Sequence, residues 1–223
     1  MASRSPLVVF GAGQIAEVAW HCFAHDSDYE VVGFTVDPEY LVADTLLGLP
    51  VLPYAQAMAR WPASSHAMFV AIAYGRLNQA RAGTVARVQA DGYRCANYIS
   101  SRARVSGTVV PDSNTFVMEL NNLQPFSRLG RDVWLWAGNH IGHHSTVGDH
   151  CFLASHVVVS GSVEIGESSF IGVNATIRDN VRIGARNVIG AGVLILADTK
   201  DAEVYIGPKT EASRVPSHRL RGI

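Results

Sequence analysis

Residues 141–158 read IGHHSTVGDHCFLASHVV, three groups of six that open on Ile141, Val147 and Leu153. The same step runs back through Leu135, Leu129, Leu123, Val117, Pro111, Val105 and Ile99. It runs forward through Val159, Ile165, Ile171, Ile177, Ile183, Ile189 and Ile195. Sixteen of these 17 positions are Ile, Leu or Val. Those residues make up about a quarter of the chain, so chance would supply about four. In the nine hexads from Ile141 to Ile189 the second residue is Gly six times, and the fifth is small or β-branched except at Asn187. A helix repeats at 3.6 residues and a strand at 2, so neither yields a strict six. Short parallel strands wound into a coil do. Each hexad forms one flat side, three form a triangular turn, and the aliphatic residue points inward. Cys151 lies in that inward set and reads as a small core residue.

The rest of the 223-residue chain is of another kind. Leu7–Phe10 reads as a buried strand, after which Gly11-Ala12-Gly13-Gln14-Ile15-Ala16 opens a helix to about Phe23. Further strands are expected at Val31–Phe34, Pro50–Leu52 and Met68–Ala73, with a helix from about Leu77 to Gln89. Such alternation indicates a small Rossmann-like α/β unit over residues 1–98, before a coil over 99–197 and a tail over 198–223. Gly-x-Gly-x-x-Ala after a strand, with Asp37 after the next, is a dinucleotide-type fingerprint. Gly11 and Gly13 would let backbone amides approach a phosphate, or would only permit a tight turn. Asp37 would accept from a ribose or base donor, or would only begin the Asp37-Pro38 turn. About 95 residues hold only half of a full dinucleotide sheet, which argues against a hydride-transfer cofactor.

Composition narrows the field. With 18 Lys+Arg against 19 Asp+Glu, no basic field is available for nucleic acid or an anionic membrane. No apolar run approaches a membrane span, so no membrane insertion is expected. Three scattered cysteines without CxxC spacing fit a reducing compartment, and a cytoplasmic location is expected.

The hexads resemble the left-handed parallel β-helix of bacterial hexapeptide-repeat acyltransferases. Together with the N-terminal unit, the chain resembles the sugar acyltransferases typified by sialic acid O-acetyltransferase and bacillosamine N-acetyltransferase. The matching features are Gly11-Ala12-Gly13, Asp37, Ala71-Ile72-Ala73-Tyr74-Gly75 and the segment from Ile141 to Asp149. The resemblance implies a homotrimer that moves an acetyl group from acetyl-CoA to an amine or hydroxyl of a sugar, nucleotide-linked in close relatives. It places a general base on His143 and an oxyanion-holding amide on Gly161, which otherwise only relieves a turn. It places cofactor contacts on Val173 and Ala191, and nucleotide-sugar contacts on the N-terminal unit. Tyr74, Arg76 and Asn78 follow its last strand, and Arg76 and Asn78 would meet diphosphate or ribose, or serve as a solvated charge and a helix cap.

Three departures stand out. The residue after the base, commonly acidic, is His144; a second family histidine aligns with Phe152, so its role is missing or moved to His156; and the tail lacks Gly-x-Pro-Ala-Lys. Five histidines between 140 and 156 also raise a metal-dependent hydratase of the γ-carbonic-anhydrase type. His144, His150 and His156 occupy successive sides of the prism, however, and cannot close on one ion within a chain, so no metal is expected. A non-catalytic nucleotide-sugar-binding protein is the other alternative. Trp134 and Trp136 flank an inward Leu135 and are expected to face outward as an interface pair.

Overall fold

The computed structural model describes residues 4–219. Five strands build the first unit: β1 (Ser5–Phe10), β2 (Tyr29–Val36), β3 (Thr45–Leu46), β4 (Leu49–Pro53) and β5 (Ala67–Val70), in the order β3-β4-β2-β1-β5. All neighbours pair in parallel except β3 with β4. Helices α1 (Gln14–His25), α2 (Tyr54–Arg60) and α3 (Gln79–Ala90) complete it. β3 and α2 are additions to the sequence reading, and β5 stops at Val70, short of Ala73.

From Tyr98 to Tyr205 the chain forms a left-handed parallel β-helix of two-residue strands, in sheets of four, seven and six strands. Its register is 18 residues throughout the regular turns, as in Ile141 with Val159 and Val159 with Ile177. The hexad aliphatics from Val117 to Ile195 form one continuous core. Gly recurs at the second position because the next turn passes too close for a side chain: a Cβ on Gly142 would lie 2.5 Å from the Ser160 carbonyl carbon. Pro111, which lacks an N–H, forms no strand, and its side of the prism is the four-stranded one. The last pair, Val188–Ile189 with Val204–Tyr205, is offset by 16 residues rather than 18.

Fourth hexad positions carry a regularity that the sequence does not announce. From Asn114 to Gly192 every one has positive φ, near +55° to +77°. They are the corners of the prism. Asn, Asp and His tolerate this left-handed region better than most residues, which accounts for Asn174, Asn180, Asp132 and the histidines at 144, 150 and 156.

The two units share a core. Tyr98, Phe116, Trp134, Phe152 and Phe170 stand 18 residues apart on one face, with successive ring centroids 5.0–6.2 Å apart. Phe69 of β5 stacks on Trp134 at 5.5 Å. Trp134 therefore points out of the coil but is fully buried, which corrects the expectation of an outward, exposed pair. Phe152 has the same explanation: the position of the missing family histidine is used for packing.

Arg81 of α3 locks this junction. It is wholly buried, its Nε donates to Asp132 at 2.8 Å, and its other nitrogens reach the carbonyls of Asp132, His150 and Ala73. Burial pulls the Arg81 pKa down from its ordinary value, and the Asp132 carboxylate opposes that. Asp132 also accepts from Asn114 Nδ2 and lies 2.8 Å from His150 Nδ1.

Candidate active site

The first group of expected site residues meets in a cleft of about 740 Å³ beside the C-terminal ends of β1 and β2. Gly11, Gly13, Asp37 and Arg76 line it, with Tyr40, Thr45 and Thr84. Gly11 has φ +130°, and a Cβ there would lie 2.8 Å from the Ala71 carbonyl oxygen, so both conformation and space exclude a side chain. Gly13 differs: its backbone is extended and a Cβ would meet nothing within 4 Å. What Gly13 provides is an unscreened first turn of α1. The amides of Gln14 and Ile15 donate to no group among the described residues. Such a terminus favours an anion. Arg76 adds a cation, exposed and without a carboxylate partner among the described residues. Arg87 is held across the Asp37 carboxylate at 2.9 Å and lies over the Phe10 and Tyr54 rings. Asp37 is thus already half committed.

Two expected residues of this group fall elsewhere. Asn78 is fully buried: its Nδ2 donates to the Ser168 and Ser169 carbonyls and its Oδ1 accepts from Arg81. Contact of Asn78 with diphosphate or ribose is therefore corrected to a tie between α3 and the coil. Tyr74 is exposed but lies against Phe152 and Phe170, outside the lining of the cleft. Between them, Arg76, Leu77 and Asn78 carry three successive positive φ angles, a strained turn held by the buried amide.

The second group lies on the coil. His143 and Gly161 stack on one corner, since Ile141 and Val159 are paired. Gly161 is not among the positive-φ glycines, so no turn requires it. Space does. A Cβ on Gly161 would lie 2.7 Å from His143 Cε1 and 2.8 Å from Nε2. The imidazole edge rests directly on this residue, whose N–H donates to no group among the described residues. The other ring nitrogen, Nδ1, lies on the same side of the ring, 3.3 Å from that Cβ position, and faces His144 Nδ1 at 3.2 Å; the His143 backbone N–H donates to Gln124 Oε1 at 3.0 Å. A histidine beside a free amide on an exposed edge can take a proton from a nucleophile while the amide steadies a developing oxyanion.

Val173 and Ala191 stack on a different corner, both exposed, with Val173 43% accessible. His156 occupies that third corner too, its ring against Gly138. Within one chain neither comes to His143. The histidines do not converge: among the described residues no three His, Cys, Asp or Glu side chains are placed to hold a metal ion. Cys151 is buried, and desolvation pushes its thiol up to about 12. Among the described residues no helix is long and apolar enough to cross a membrane.

Comparison with known proteins bears on both halves. Residues 126–161 and 162–197 match the family model of the bacterial transferase hexapeptide (six repeats). An acyl-[acyl-carrier-protein]–UDP-N-acetylglucosamine O-acyltransferase of Burkholderia lata is 36% identical over 93 residues, 42% of this chain and 36% of that protein. The chain thus aligns with about a third of the length of the curated relatives it matches. Similarity to solved structures is broader. PerB from Caulobacter crescentus, in complex with CoA and GDP-perosamine, is 26% identical, with 91% of this chain and 94% of that one covered and a TM-score of 0.81. The acetyltransferase domain of PglB from Neisseria gonorrhoeae, in complex with acetyl coenzyme A, has the same fold at 22% identity. There 90% of this chain and 95% of that one are covered, with a TM-score of 0.81.

Proposed function

Since the coil of this chain is built of bacterial transferase hexapeptide repeats, we propose that it transfers an acetyl group from acetyl-CoA to an amine or hydroxyl of a nucleotide-linked sugar. The observation that carries this reading is the imidazole of His143 resting on Gly161, where only glycine leaves room for it. His143 Nε2 removes the acceptor proton as nitrogen or oxygen attacks the thioester carbon. The Gly161 N–H holds the carbonyl oxygen while it bears charge. Collapse expels the CoA thiolate, and no covalent enzyme intermediate is needed. General-base removal of that proton is worth roughly 10²–10⁴-fold in rate.

Residues 1–98 hold the nucleotide, with its phosphates at the start of α1 and near Arg76. Residues 99–197 carry the transfer chemistry, and the stretch expected as a tail from 198 first adds Val204–Tyr205 to the coil. Support for the nucleotide comes from the cleft described above and from the CoA and GDP-perosamine bound by the similar PerB. Backbone groups of Val173 and Ala191 take the pantetheine arm. They lie on another corner from His143, so a complete site draws on two neighbouring chains of a homotrimer. The exposed apolar residues Val158, Val173, Leu194 and Leu196 along the coil support that assembly. The location that fits such substrates is the cytoplasm.

Thiol release from acetyl-CoA with nucleotide-linked amino sugars, beside their hydroxyl parents, tests the reading. Release with one class establishes transfer and chooses nitrogen or oxygen. Failure to bind acetyl-CoA at all would overturn it.

A further inference from the structure

We infer that His144 is the positioning residue for His143, fixing its tautomer through an imidazole–imidazole hydrogen bond; this rests on His143 being the base. The two Nδ1 atoms lie 3.2 Å apart with the rings nearly perpendicular, at 83°. At that separation one nitrogen carries a proton and the other a lone pair. His144 occupies Nδ1, so the nitrogen left to act as a base is Nε2, the nearer of the two to Gly161, and it needs the lone pair. The His143 proton is therefore on Nδ1 and is donated to His144 Nδ1. His144 must then be neutral, with its own proton on Nε2.

His144 is held for this task from below. Its backbone sits at φ +59°, its N–H donates to the Pro125 carbonyl, and its ring lies over Phe126 with centroids 4.8 Å apart. Phe126 is 57% exposed and stands one turn below on the same corner, so the exposed aromatic serves as a rest for the imidazole. Gln124 fixes the His143 backbone from that same turn. Among the described residues no charged side chain hydrogen-bonds either ring. The carboxylate on this edge, Asp179, lies two turns up and accepts from Asn180.

The corner must accept positive φ, so the informative variants are His144→Gly and His144→Asn. Both tolerate that backbone, but only Asn places an acceptor, Oδ1, where Nδ1 stands. His144→Gly is expected to lower kcat roughly 10- to 100-fold, with KM for acetyl-CoA within about 2-fold. His144→Asn should recover most of kcat, because its Oδ1 restores an acceptor for the His143 Nδ1 proton. Nitrogen NMR of the imidazoles supplies a readout apart from turnover: His143 should be protonated at Nδ1, and lose that preference in His144→Gly. Equal kcat in His144→Gly and the unsubstituted enzyme, while His143→Ala is impaired, would overturn the positioning role alone. Full activity in His143→Ala would instead overturn the base on which it rests.

Discussion

His150 and His143, two of the coil's imidazoles whose Nδ1 is held by a neighbour, are built for opposite purposes. His150 faces the buried Asp132 carboxylate at 2.8 Å, in the same knot as Arg81 and Asn114. Every strong group there is already engaged, and the result is a rivet between α3 and the coil. His143 faces His144 on an exposed edge, and its ring rests on a glycine whose amide is free among the described residues. A carboxylate–histidine pair looks more like catalytic equipment than two histidines do. Burial and saturation of partners decide otherwise.

Substitution at each corner should separate stability from turnover. Asp132→Ala leaves the Arg81 guanidinium buried without its counter-ion, and is expected to cost about 3–5 kcal/mol of stability. Urea unfolding would measure it, and a loss under about 1 kcal/mol would mean that the knot holds little.

Gly161→Ala comes next. The added methyl displaces an exposed ring and meets no backbone strain, so unfolding should shift by less than about 0.5 kcal/mol. Thiol release should nevertheless fall roughly 10-fold or more, because the base is moved off its edge. Wild-type turnover in that variant would remove the steric argument for Gly161.

His150→Ala sharpens the contrast from the other side. It removes one hydrogen bond to Asp132 but leaves Arg81 paired, so a loss of roughly 1–2 kcal/mol in unfolding and turnover within about 3-fold are expected. A loss of 10²-fold in turnover would make His150, not His143, the imidazole that matters.

The smallest effect concerns the thiols. Desolvation raises Cys22 to about 11 and Cys95 and Cys151 to about 12. All three are buried, so native protein should react with less than one equivalent of a thiol reagent at pH 8 and with all three thiols after denaturation.

How these features read in the sequence depended on their period. The inward aliphatics recur every six residues and announce the coil directly. The aromatics at 98, 116, 134, 152 and 170 recur every 18 and were equally open to counting, yet a pair such as Trp134 and Trp136 looks like an exposed patch until the α/β unit covers it. Corners stayed hidden because most carry side chains despite positive φ, which glycine alone would have flagged. Gly11 and Asp37 reach the cleft because strand order fixes where a β1–α1 turn and the end of β2 meet. Asn78 could not be placed from its neighbours in sequence: its partners, Ser168 and Ser169, lie some 90 residues on. Gly161 was legible as a position, but its reason, space for an imidazole rather than a turn, needed the stack.

The central claim is that His143 over Gly161 is the base of an acyl transfer. The most direct measurement is acceptor-dependent thiol release from acetyl-CoA by the unsubstituted protein and by His143→Ala at matched oligomeric state. The account predicts a fall of about 10²-fold or more in kcat, with acetyl-CoA binding and the unfolding midpoint unchanged. Equal turnover in the two proteins would contradict it.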